Sequence, residues 1–138
     1  MIPKPWQVPA TVIAVMVAWA GGGCAPQVGE TPRYDLKPVI TASEYLSRVE
    51  SGTAPFLLDV REPEELQGPL GALASAHNIP LGQISERMEE IPRDREVVVV
   101  CRSGSRSHSA IQWLQSQGYT RLRNLEGGML AIREAGKK

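Results

Sequence analysis

Cysteine and histidine are scarce in this 138-residue chain, at two each. His77 and His108 stand far apart, and with one thiol in the same region they make no metal-ligand spacing, so no metal and no organic cofactor is expected. An excess of charge is missing too. Lys plus Arg number 15 and Asp plus Glu 15, with no basic block anywhere. Nothing in that balance attracts a phosphate backbone, which argues against a nucleic-acid partner. Internal repeats and low-complexity segments are also absent. The length suits one domain, and the 5% aromatic content suits an ordinary globular core.

Long hydrophobic runs are lacking beyond one near the N-terminus, Val8 to Ala20 (VPATVIAVMVAWA). It is shorter than the roughly 20 residues a spanning helix needs, contains Pro9, and follows a segment with one cation, Lys4. It reads as an export signal. Ala18-Trp19-Ala20 has the form of ordinary signal cleavage, while Gly21-Gly22-Gly23-Cys24 resembles a bacterial lipoprotein signal, with Gly21 where a leucine usually stands. The lipoprotein reading is preferred, because a free thiol directly after the apolar run is otherwise hard to explain. Residues 1–23 are then the signal, 24–38 a Pro- and Gly-bearing tether, and 39–138 the domain. The expected location is periplasmic or cell-envelope, with Cys24 lipidated and holding the protein to the membrane. Secreted soluble protein and a single N-terminal anchor are the alternatives.

From Val39 onward, short apolar runs alternate with helical patterns, which predicts an α/β domain on a central, mostly parallel five-stranded sheet with helices on both faces. The strand candidates are Val39-Ile40, Phe56 to Val60, His77 to Pro80, Val97 to Val100 and Leu122 to Leu125. Thr41-Ala42-Ser43-Glu44 fits a capping box opening a helix through Val49. Pro63-Glu64-Glu65 starts a short helix, and Ile84, Met88 and Ile91 lie at helical spacing ahead of Pro92. Ala110, Ile111 and Leu114 mark another helix ending near Gly118. The last runs from Met129 to Glu134 after Gly127-Gly128.

The four consecutive valines at 97–100 form a strand whose continuous apolar run suits a central position covered on both faces, and the chain then reads Cys101-Arg102-Ser103-Gly104-Ser105-Arg106. A strand end leading into a helix is where open α/β sheets place ligands. Backbone N–H groups of such a loop favour an anion and lower the pKa of a thiol held among them. Arg102 and Arg106 add positive charge. The thiolate of Cys101 is therefore expected to act as a nucleophile without a general base.

These residues resemble the active-site loop of rhodanese sulfurtransferases. Asp59-Val60-Arg61-Glu62-Pro63-Glu64-Glu65 is similar to the family's DVRE segment, Asn78-Ile79-Pro80-Leu81 to its NIPL segment, and Leu125-Glu126-Gly127-Gly128-Met129 to its LEGG turn. The resemblance covers about Val39 to Gly136. It implies transfer of a sulfane sulfur from thiosulfate or a related donor, through a Cys101 persulfide, to cyanide, a thiol or a protein acceptor. Cys101 is then the nucleophile, and Arg102, Ser103, Gly104, Ser105 and Arg106 hold the bound sulfur and steer an anionic donor. Related phosphatases and arsenate reductases use a loop one residue longer. Here Arg106 fits the rhodanese length, and Ser107 stands at the phosphatase arginine's position. The competing expectation is a non-catalytic rhodanese-type module that binds a sulfur-bearing ligand or a protein.

Two departures stand out. The segment from Gly68 to Pro80 is about three residues longer than the family's, with Pro69 replacing a histidine, and Ile132 replaces a tryptophan expected to line the mouth of the site. Asp59 and Arg61 are expected to be scaffold, and His108 an ordinary helix residue.

Overall fold

The computed structural model describes residues 36–137. Cys24, the signal at 1–23 and most of the 24–38 tether lie outside the described residues. Five strands form one sheet: β1 (Val39–Ile40), β2 (Phe56–Asp59), β3 (Ala76–Asn78), β4 (Val97–Val100) and β5 (Leu122–Leu125). All pair in parallel, in the order β1-β5-β4-β2-β3. The helices are α1 (Ala42–Glu50), α2 (Pro63–Leu66), α3 (Ile84–Arg87), α4 (Ser105–Ser116) and α5 (Gly128–Ala135).

β4 lies between β5 and β2, and all four of its valines are buried. A run of β-branched residues suits a strand covered on both faces. Strand alternation divides these valines between two cores. Val97 and Val99 pack with Leu58, Ile84, Ala110 and Leu114 under α3 and α4. Val98 and Val100 pack with Tyr45, Leu57, Met129 and Ile132 under α1 and α5. The next step of that alternation puts Cys101 in the first core, on the face that α4 covers.

The chain leaves β2 toward β3 and leaves β4 toward β5, in opposite directions across neighbouring strands. The carboxyl ends of β2 and β4, paired through Asp59 and Val100, therefore bound a crevice at a topological switch point. Both Cys101 and the Asp59–Arg61 segment sit there.

Two local expectations are modified. Thr41 Oγ1 accepts from Glu44 N at 3.1 Å, which is the forward half of a capping box, while the Glu44 carboxylate accepts from Arg123 Nη1 at 2.8 Å. Arg123 is 4% exposed, and a buried cation must be met by carboxylates. That demand outweighs the return bond to the cap. The stretch from Gln83 to Ile91 is not one helix. It divides into a 3₁₀ turn at Leu81–Gln83, α3, and a 3₁₀ turn at Met88–Glu90. An α-helix would have required Met88 O to accept from residue 92, and Pro92 has no N–H. Ile91 N (3.0 Å) and the Tyr119 hydroxyl (2.6 Å) donate to it instead.

Candidate active site

Cys101 follows directly on β4 and is 1% exposed. The backbone then turns sharply: Gly104, at φ +106°, is the N-cap of α4, a conformation that costs glycine little. This turn brings the Gly104 N–H to 3.0 Å from Cys101 Sγ.

The loop is held from behind by α5. Met129 N donates to Cys101 O at 2.8 Å, and Leu130 N to Arg102 O at 3.1 Å. With its carbonyls turned toward α5, the loop presents amides of Ser103 and Gly104 to the sulfur. The approach leaves no room for a side chain at Gly128 (φ +58°), where a Cβ would lie 2.5 Å from Cys101 O and 2.6 Å from Arg102 C.

Burial pushes the Cys101 thiol up. The Ser107 hydroxyl and the backbone N–H groups of Ser107, Gly104 and Ser103 outweigh it and hold the thiol below its ordinary value. Ser107 is fully buried, with its Oγ 3.5 Å from Sγ, 3.0 Å from Gly104 O and 2.6 Å from Asn124 Oδ1. Neither Ser107 nor Asn124 was among the residues expected from the sequence. A hydroxyl in the third position of a helix opened by Gly104 points back at the loop, which is the signal that identifies Ser107. Asn124 lies 20 residues from Gly104 in sequence and is brought to the loop by the β4–β5 pairing.

The two loop arginines part company. Arg106 donates to Glu65 of α2 through Nη1 (2.6 Å) and Nη2 (2.8 Å), and those bonds hold the Glu65 carboxyl down at about 2. Arg102 is exposed and makes no ion pair among the described residues. Ser103 and Ser105 are exposed and Gly104 half-buried. These three line a cleft of about 510 Å³ with His108, Asn124 and Glu126. On the other side, Arg102 borders a second cleft of about 440 Å³ with Arg61, Glu65, Pro69, Leu70 and Leu130.

Asp59 and Arg61 form a scaffold under this floor. Both are fully buried; Arg61 Nη2 donates to Asp59 Oδ2 at 2.6 Å and to Gly71 O at 2.9 Å. Asn78 of the NIPL-like segment donates to Asp59 O (3.0 Å) and Arg61 O (2.9 Å). The lengthened segment after Gly68 is pinned by Arg61 on one side and by Arg133, whose Nε donates to Leu70 O at 2.6 Å, on the other. Ile132 does not line the mouth. It is 2% exposed within the second core, because it sits on the sheet-facing side of α5; Leu130, 45% exposed, reaches the cleft instead. Among the described residues no group of three or more His, Cys, Asp or Glu is placed to hold a metal ion.

Comparison with known proteins agrees with this fold. A family model described as a rhodanese-like domain matches residues 41–135. A sulfurtransferase of Allochromatium vinosum is 46% identical over 90 residues, which cover 64% of this chain and 82% of that protein. The structure of a rhodanese-related protein from Thermoplasma volcanium matches with a TM-score of 0.63 at 33% identity, covering 72% of this chain and 94% of that one. A human single-domain sulfurtransferase matches with a TM-score of 0.61 at 30% identity, over 75% and 98% of the two chains. The five-stranded parallel sheet thus has relatives at the level of sequence and of fold, and the chain belongs to the rhodanese-like sulfurtransferase family.

Proposed function

We propose that the protein carries a sulfane sulfur on Cys101, taking it from thiosulfate or a related anionic donor and passing it to cyanide or a thiol, free or on a protein. The thiolate attacks the outer sulfur of thiosulfate; a new S–S bond forms while the old one breaks, and sulfite leaves with the electron pair. The acceptor nucleophile then attacks the terminal sulfur, and Cys101 departs as the thiolate. No proton moves in either displacement when the acceptor is an anion, so the site needs no general base.

One observation carries this reading: the Gly104 amide 3.0 Å from a buried Sγ, within a loop that lowers the thiol's pKa. Donors fixed in this way favour the anion both before and after sulfur is loaded. Arg102, exposed and without an ion pair among the described residues, supports an anionic donor. Lipidation at Cys24 and a cell-envelope location belong to the same proposal, on the strength of the apolar run that precedes that cysteine.

The experiment is direct. Protein incubated with thiosulfate is expected to gain the mass of one sulfur on the Cys101 peptide and lose it on addition of cyanide, with neither change in Cys101→Ser. A Cys101 that takes no sulfur from thiosulfate or from a neutral sulfane donor would leave the non-catalytic binding module in its place.

A further inference from the structure

The Ser107 hydroxyl has one proton and three acceptors within reach. Gly104 O already accepts from His108 N (3.2 Å) and from Asn124 Nδ2 (3.2 Å), so both its lone pairs are met. The contest is between Asn124 Oδ1 at 2.6 Å and Cys101 Sγ at 3.5 Å. A proton given to Oδ1 is withheld from the sulfur. An amide, however, is a donor on one side and an acceptor on the other. Turned about its long axis, Asn124 offers Nδ2 to Ser107 Oγ, and the hydroxyl is then free to donate to Sγ.

We propose that Asn124, through its contact with the Ser107 hydroxyl, is a positioning residue that sets whether that hydroxyl donates to the nucleophilic sulfur. With Cys101 as the thiol, Ser107 donates to Asn124 and Asn124 donates to Gly104 O. With Cys101 as the thiolate or the persulfide anion, Asn124 donates to Ser107 and Ser107 donates to sulfur. The thiol proton leaves to solvent; the hydroxyl and amide protons only change acceptors. Gly104 O keeps the His108 N–H in both arrangements but loses the Asn124 amide and meets its Oδ1 instead, a cost that the hydrogen bond gained at the charged sulfur offsets.

Charged groups stand around the loop that holds the sulfur. Arg106, paired with Glu65, acts on Cys101 from the first turn of α4, Arg102 flanks it in the loop, and the Asp59–Arg61 pair closes the end of β2. Glu126 and His108 border the cleft beyond the loop. From β5, it is neutral Asn124 that reaches the Ser107 hydroxyl. The effect of its substitution therefore separates into a part relayed by Ser107 and a part that is not.

The test is a double-mutant cycle on the full chain, read by the pH dependence of iodoacetamide alkylation at the peptide carrying Cys101, with thermal unfolding as a check on folding. Asn124→Asp, which accepts but cannot donate, is expected to raise the alkylation midpoint by about one pH unit more in the native background than in Ser107→Ala, as suits loss of one hydrogen bond to a charged group. Asn124→Ala, which removes both the competing acceptor and the donor, is expected to move the midpoint in the native background and leave it unchanged in Ser107→Ala. Equal shifts in the two backgrounds would overturn the proposal and leave Asn124 acting by charge or by loop shape. The inference rests on Cys101 as the nucleophile proposed above, but alkylation needs no turnover. A failed cycle with intact sulfur loading rejects this inference alone, and failed loading with an intact cycle rejects the transfer reading.

Discussion

Glu65 of α2 grips Arg106 of α4 through two hydrogen bonds of 2.8 and 2.6 Å, tying the element that follows β2 to the helix that follows β4. The bond closes the switch-point crevice from the side, next to the cysteine loop. It leaves Arg102 as the loop cation without an ion pair among the described residues.

Stability should therefore depend on Glu65 in acid. Its carboxyl is held at about 2 in the fold, below its ordinary 4.5, so the unfolded chain binds more protons between those values. The stabilisation is complete above about 4.5 and is lost as the pH falls toward about 2. Glu65→Gln is expected to cost about 1 kcal/mol at neutral pH, given that the pair is one-third open to solvent and screened. Urea melts of both proteins across that range check it. Parallel curves would show that ionisation of Glu65 contributes nothing to stability.

Arg102→Ala is expected to weaken use of thiosulfate more than use of a neutral sulfane donor, by about 1–3 kcal/mol in kcat/KM. Steady-state rates with the two donors provide the comparison. An equal loss with both would assign Arg102 a role in loop shape only.

Gly128→Ala is expected to lower the melting temperature and abolish sulfur loading, because the new Cβ meets the backbone of Cys101 and Arg102. Gly52→Ala is the control: Gly52 also has a positive φ, +72°, but nothing lies within 4 Å of its Cβ position. Backbone strain alone costs about 1–3 kcal/mol, and the excess loss at Gly128 measures the clash. Similar effects at the two sites would mean that α5 yields.

Labelled fatty acid is expected to enter the wild-type protein in a bacterial host and to be absent from Cys24→Ser. Label that survives the substitution would refute lipidation at that residue. An unlabelled chain starting at Gly21 would indicate ordinary secretion, and an integral protein retaining Met1 would indicate an anchor.

Much of the framework was legible because its causes are local. Four valines in succession demand a central strand wherever the rest of the chain goes, and Val97–Val100 is that strand. Leu122–Leu125 and Val39–Ile40 fall where their apolar runs do. The broken stretch ahead of Pro92 was only half legible. Its apolar spacing marked Ile84 and Ile91 as buried, while the choice of 3₁₀ turns depended on an absent N–H and on Tyr119, about thirty residues downstream.

At the site, the sequence by itself determined where the Cys101 thiol stands, in a glycine-bearing loop at the end of the Val97–Val100 strand, since that follows from residue type and from neighbours a few positions away. Tertiary structure alone decided what those groups meet. It assigned Arg106 to Glu65, placed Asn124 against Ser107, moved Ile132 inside while exposing Leu130, and pressed Gly128 against the loop. The physical reason is that an arginine's partner and the neighbour of a buried hydroxyl are set by atoms within about 3–4 Å. In a parallel sheet those atoms come from neighbouring strands whose sequences are separated by whole helices.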